Sequence, residues 1–425
     1  MKPLPSAKQL QFLSWEFGIF FHFGIRTFYP GHRDWDGVEM PASGFCPTEL
    51  SCEQWIRAAK EAGATYAILT AKHHDGFALW PTAHSGYSVA DSPFRGGRGD
   101  VVREFTEACR KYGLKTGLYY SPAQWGSHAI PFANGEEYDT YFIQQLGELL
   151  TGYGKIDYLW FDGCGSEGHV YNRKRIVSEI YRMQPEILTF CDPEWTPGVR
   201  WIGNEDGYAS LENPLAVSET DFSELAAEKE TLSNRIFLPG ECDCKIRNTW
   251  FWDENEETLK STEELFGMYE MSVGHGSNFL LNIGPDRRGL LPEADMARLH
   301  ALGERIRTSY GNPLPYTAPE RQGDCYTIRH READSAEWAY PDPGRLSNCI
   351  AVEEDLADGA SVTSFRVYGY LPTYKEKKIL LFCGRTVGHR VYCRFSPIRC
   401  PRFEVEITGH EGAYRLRDIR AYYVP

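Results

Sequence analysis

Over roughly the first three quarters of the chain, short runs dense in aromatic and β-branched residues alternate with longer stretches in which apolar positions recur every three to four residues. Phe17–Phe23 (FGIFFHF) predicts a buried strand, and Tyr66–Thr70, Leu114–Tyr120, Ile156–Phe161 and Ile187–Cys191 predict four more. Helices are predicted between them. One opens at Ser51-Cys52-Glu53-Gln54, a capping-box pattern, and stops at Gly63. A second is capped by Asp100 and ends at Gly113; others cover about Glu136–Tyr153 and Arg173–Met183. Further on, Ile236–Pro239 and Phe279–Ile283 read as strands, with helices near Ser261–Met271 and Glu293–Arg307. Repeated strand-then-helix units argue for a parallel sheet covered by helices.

Polar and aromatic residues bunch just after the predicted strands, at His22, His73-His74-Asp75, Tyr119-Tyr120 and Asp162. In a (β/α)8 barrel those positions share one mouth. A doubly wound sheet would also bind ligands there, but no glycine-rich phosphate loop follows the first strand. The expected architecture is a (β/α)8-like barrel, open to irregularity, over residues 1–315. Past Gly311-Asn312-Pro313 the pattern changes to period-two runs such as Ser364–Tyr368 and Phe403–Ile407. Residues 316–425 are therefore expected to form an antiparallel β-sandwich.

With 425 residues, 42% of them hydrophobic and 24% charged, the chain has the composition of a globular protein of two or more domains. A net charge of -14 and no basic run argue against a nucleic-acid partner. No apolar run approaches the roughly 20 residues that span a bilayer, which argues against a membrane partner. The N-terminal residues show no apolar signal core, and the twelve cysteines are scattered. A cytoplasmic location is expected on these grounds.

Asp162 closes the apolar run Leu159-Trp160-Phe161, and Gly163, Gly165 and Gly168 follow it. A carboxylate there either caps a turn or does chemistry. In the loop Gly203-Asn204-Glu205-Asp206-Gly207, Glu205 and Asp206 are equal candidates for a second carboxylate. His73, His74 and His22 suit metal ligation or hydrogen bonding to sugar hydroxyls, although adjacent residues after a strand make a poor ligand set. Aromatic residues make up 14% of the chain, and Trp35, Trp80, Trp160, Trp201 and the Trp250-Phe251-Trp252 run are candidates to stack on a sugar ring.

Six segments carry a family likeness: Trp15–Gly24 (WEFGIFFHFG), Ala59–Pro81, Gly113–Pro122, Ile156–Gly163 (IDYLWFDG), Arg200–Ala209 (RWIGNEDGYA) and Asn278–Gly289. In these the chain resembles the α-L-fucosidases of glycoside hydrolase family 29. The resemblance implies a barrel that departs from eight-fold regularity, no cofactor, no metal, and a fucosylated oligosaccharide or glycoconjugate as substrate. It implies hydrolysis of terminal α-L-fucose with retention, with Asp162 as nucleophile. The loop resembles that of the branch acting on α-1,3 and α-1,4 linkages, in which its glutamate is the acid/base; this singles out Glu205. By the same resemblance His22, Asp34, Trp35, His73, His74 and Tyr119 hold the fucose, and Trp160 and Trp250 are kept from the aromatic candidates as substrate-binding residues. Two departures stand out. Phe23 occupies a place where many members carry Trp, and Asp34 one where Glu is commoner. A retaining mechanism implies carboxyl groups about 5–5.5 Å apart. The alternatives are a fucosidase also active on α-1,2 linkages, or a silent fucose-binding protein.

Overall fold

The computed structural model describes residues 2–31, 36–126, 128, 130–191, 193–221, 229–331, 344–371 and 377–425. Eight parallel strands form one sheet: β1 (Phe17–Phe21), β2 (Tyr66–Lys72), β3 (Lys115–Tyr120), β4 (Tyr158–Phe161), β5 (Leu188–Phe190), β6 (Arg200–Trp201), β9 (Gly240–Lys245) and β10 (Asn278–Asn282). Their order is β5-β4-β3-β2-β1-β10-β9-β6, and a parallel bridge from Phe190 to Val199 brings the two edges together into a barrel.

Helices cover most of its outside. After the N-terminal α1 (Ala7–Leu13) come α2 (Cys52–Glu61), α3 (Val101–Tyr112), α4 (Glu136–Gly152) and α5 (Arg173–Met183), each following one of the first four strands. The last two, α6 (Thr262–Ser272) and α7 (Glu293–Tyr310), flank β10. The regular alternation lapses between β5 and β9. There the described chain makes no α-helix, and an antiparallel hairpin, β7 (Ala216–Thr220) and β8 (Glu230–Phe237), stands in its place.

Local chemistry sets these boundaries. The Asp100 carboxylate accepts from the Arg103 amide at 2.8 Å, satisfying one orphan donor of α3, and Gly113 ends that helix at φ +69°. Ser51 caps α2 by accepting from the Gln54 amide, but the Gln54 side chain pairs with Leu291 rather than closing the box. Every residue of β2 is buried. Ala67, Leu69 and Ala71 face the helices, while Tyr66 and Ile68 face the barrel interior. Two side chains at the start of the chain, Phe12 and Trp15, join that interior cluster and pack on Tyr158 and Tyr66.

One strand expectation is corrected here. The apolar run Ile236–Pro239 is the end of a hairpin strand, and the barrel strand is the polar segment Gly240–Lys245 that follows it. A buried strand carrying Glu241, Asp243 and Lys245 does not match an apolar template, so hydropathy passes it by. Arg200–Trp201 likewise pairs with β9 as a short sixth barrel strand, where only loop was expected.

The C-terminal region holds two antiparallel sheets. One is ordered β11 (Glu320–Gln322), β12 (Cys325–Arg329), β17 (Arg402–His410), β14 (Val362–Tyr370), β15 (Lys378–Gly384); the other is β16 (Val391–Cys400), β13 (Arg345–Glu354), β18 (Leu416–Tyr422). Alternate residues Phe403, Val405 and Ile407 of β17 are buried in a core separate from the barrel's. Arg390 ties the units together, bonded to Glu16 at 2.6 Å and to Glu353 at 2.6 Å.

Candidate active site

Asp162 leaves the end of β4 with both carboxylate oxygens held. Oδ1 accepts from the Cys164 amide at 2.9 Å, the turn contact that the capping alternative foresees. Oδ2 accepts from the Tyr119 hydroxyl at 2.8 Å and lies 3.5 Å from His74 Nε2. Those two partners arrive from different strands, β3 and the end of β2, so Asp162 is more than a local cap. Its side chain keeps 28% of its surface exposed, enough for approach from the mouth.

The histidines are oriented by groups behind them. His74 Nδ1 lies 2.7 Å from Ser121 Oγ, whose own proton goes to the Ala123 carbonyl at 2.6 Å, so Nδ1–H is the donor. Nε2 is thereby turned toward Asp162. His22 Nδ1 lies 2.7 Å from Asn282 Oδ1, while the Asn282 amide donates to the Trp250 carbonyl. Burial, with nearby Arg26, His74 and Lys245 charges, pulls the His22 imidazole down to about 3 against its hydrogen bond to Asn282, so it is neutral near pH 7. His73 is likewise pushed well down by burial and by His74, Arg26 and His22. Its ring stacks on Tyr119 at 5.6 Å and 11°, and its buried Nδ1 has no hydrogen-bond partner among the described residues.

Glu205 stands after β6, in a turn shaped by Gly203 (φ +95°) and Gly207 (φ +77°) and by Asn204, whose side-chain oxygen accepts from the Asp206 amide at 3.1 Å. Glu205 Oε2 accepts from Lys245 Nζ at 2.5 Å and from the Trp250 indole N–H at 3.1 Å. Asp206, its rival in the sequence, is exposed. A cleft of about 360 Å³ opens beside Glu205, walled by Arg26, Tyr29, Trp250 and Trp252 among others.

Trp250 reaches the site; its ring lies 4.8 Å from that of His22. The stacking role expected for Trp160 does not fit. Phe190 covers it at 4.0 Å and Tyr119 at 5.4 Å, and its N–H donates to Glu241 at 3.0 Å, so it braces Tyr119 from one layer below. Trp201 donates to Asp243, and Trp80 donates to Glu148 away from the mouth. Phe23 lies fully buried against Phe28, Phe45 and Trp55, behind the site. Asp34 and Trp35 lie outside the described residues. Among the described residues no group of three or more His, Cys, Asp and Glu is arranged to hold a metal ion.

Sequence reasoning missed the inward face of β9. Glu241, Asp243 and Lys245 alternate with Cys242 and Cys244, and a period-two run of charges just before Trp250 was the available signal. Glu241 collects the hydroxyls of Tyr66 (2.7 Å) and Tyr158 (3.0 Å) and the Trp160 N–H, and burial raises its carboxyl to about 7. Asp243 is pushed well up by burial and by the Glu205 charge.

Two carboxylates from different strands at the mouth of a parallel barrel, with imidazole and aromatic walls, are the kinds of group that a glycoside hydrolase uses. The model of the α-L-fucosidase family matches residues 4–309, and the chain belongs to that family. Alpha-L-fucosidase 1 of Arabidopsis thaliana is 38% identical over 73% of this chain and 62% of its own length, so the chain spans just under two thirds of that relative. The tissue alpha-L-fucosidase of Mus musculus is 26% identical over 72% of this chain and 70% of its own. The crystal structure of a glycoside hydrolase 29 family member from an unknown rumen bacterium superposes with a TM-score of 0.86 at 28% identity, covering all of this chain and 78% of the other.

Proposed function

We propose that the protein is an exo-acting, retaining α-L-fucosidase that removes terminal α-L-fucose from oligosaccharides or glycoconjugates, with α-1,3 and α-1,4 linkages as its targets. Asp162 attacks the anomeric carbon while Glu205 passes a proton to the departing glycosidic oxygen, leaving a fucosyl ester on Asp162. Water then attacks that carbon, Glu205 takes its proton, and the carboxylate of Asp162 departs. The observation that carries this reading is the treatment of Asp162. A hydroxyl donor fixes one oxygen and aims it, and His73 stacks on that same tyrosine beside it. Neutral His22, its Nδ1–H committed to Asn282, offers Nε2 as an acceptor for a sugar hydroxyl. The linkage preference rests on the likeness of the GNEDG loop. The twelve cysteines, all free, support a reducing compartment such as the cytoplasm.

Proton NMR of a branched α-1,4-fucosylated trisaccharide incubated with the protein tests the proposal, with α-fucose expected as the first-formed anomer. First-formed β-fucose overturns retention. Release only from an α-1,2-fucosylated lactose overturns the linkage. Release from neither, with fucose still bound, favours a binding protein.

A further inference from the structure

Lys245 has no part in the proposal above, yet it is in close contact with Glu205. Its ammonium lies 2.5 Å from Glu205 Oε2 and 4.7 Å from the centroid of Trp250, whose indole N–H donates to the same oxygen. Lys245 is itself held in place, at 21% exposure, as the outermost inward side chain of β9. Glu205 has two opposed duties. It gives up a proton when the glycosidic bond breaks, and it accepts one when water cleaves the fucosyl ester. An ammonium in contact favours the charged form and so serves the second duty against the first.

We propose that Lys245 is a positioning residue that pins Glu205 to the cleft wall as a carboxylate, biasing it toward the base role and setting how far into alkaline pH it can still act as an acid. This rests on Glu205 being the acid/base. In the half-reaction that Lys245 favours, the new bond joins the water oxygen to the anomeric carbon and the bond to Asp162 breaks. The electron pair returns to Asp162, and the water's proton goes to Glu205.

Among the described residues, the other titratable and charged groups near Glu205 are engaged as follows. Asp243, two residues before Lys245 on β9, is pushed well up by burial and by the Glu205 charge, and accepts from the Trp201 indole N–H. The Arg26 guanidinium, on the same cleft wall, is turned over the ring of Phe251 at 5.2 Å. Asp253, from the loop after β9, accepts from the Thr249 hydroxyl and the Asn255 amide. His22, beside Trp250, is neutral, and Asp206 is exposed.

The test compares kcat/KM against pH for the intact protein and for Lys245→Met and Lys245→Arg, on a fucosylated trisaccharide whose leaving group needs a proton. In Lys245→Met the alkaline limb is expected to move up by about one pH unit. The arginine variant keeps the charge and is expected to keep the wild-type limb. A limb that does not move in Lys245→Met, or moves equally in both variants, overturns the inference. Glu205→Ala, assayed on an activated aryl fucoside with added azide, separates this from failure of the underlying reading. Azide rescue with formation of fucosyl azide marks Glu205 as the acid/base. Without that rescue, the assignment of Glu205 falls and the role of Lys245 falls with it.

Discussion

Glu241→Gln isolates a cost that the barrel interior carries at neutral pH. Glu241 is 1% exposed, and burial lifts its carboxyl from the ordinary 4.5 to about 7, against three donors that favour its charged form. The folded protein therefore holds this proton more tightly than the unfolded chain does. The resulting stability is complete below about 4.5 and is lost as the pH climbs through about 7. At about 1.4 kcal/mol per pH unit, the gap comes to about 3 kcal/mol, most of it falling between about pH 5 and about pH 8. Glutamine retains an oxygen for Trp160 and Tyr158, and the Tyr66 hydroxyl can turn to accept from the new amide. Glutamine does not ionise. Thermal unfolding of wild type and variant, side by side at the two pH values, reads the difference. At about 2 °C per kcal/mol for a domain of this size, the melting temperature of wild type relative to the variant should drop by about 5 °C from the acid to the alkaline condition. A difference that stays constant with pH, or grows in favour of wild type as pH rises, would refute an ionisable carboxyl at this position.

Tyr119→Phe keeps the rings that stack on His73 and Trp160 but removes the hydroxyl from Asp162. A hydrogen bond to a charged group is worth about 1.5–3 kcal/mol, so kcat for fucoside hydrolysis should fall about tenfold to a hundredfold with an unchanged melting temperature; an unaltered kcat would mean that the bond does not aim the carboxylate. Asn282→Leu removes both the acceptor that orients His22 and the donor to the Trp250 carbonyl. KM should rise about tenfold, with a loss of about 1–3 kcal/mol in urea unfolding for the stranded carbonyl, and an unchanged KM would detach His22 from sugar binding.

Much of the barrel is legible in the sequence because its strands are buried on both faces, and segments such as Tyr66–Leu69 (YAIL) then read as apolar runs between capped helices. Asp162 is legible for the complementary reason, as a lone charge ending such a run. The choice between Glu205 and Asp206 is not. They are neighbours in one turn, and what separates them is contact with Lys245 and Trp250, about 40 positions further along. Trp160 was open to a better reading. It stands two residues before Asp162 on a strand of period two, which puts it on the same side but one layer deeper, where Phe190 and Tyr119 cover it. The same parity explains β9. Its inward residues climb from Glu241, bonded to Tyr158 and Trp160 of β4, through Asp243 to Lys245, bonded to Glu205 at the mouth. Each charge on that face is served by a donor or acceptor from another strand, and hydropathy along one segment cannot register partners so far away in the chain. A barrel strand that breaks the apolar pattern while its neighbours keep it must be stabilised across the barrel interior, and such a strand is a good place to look for the groups that tune the chemistry.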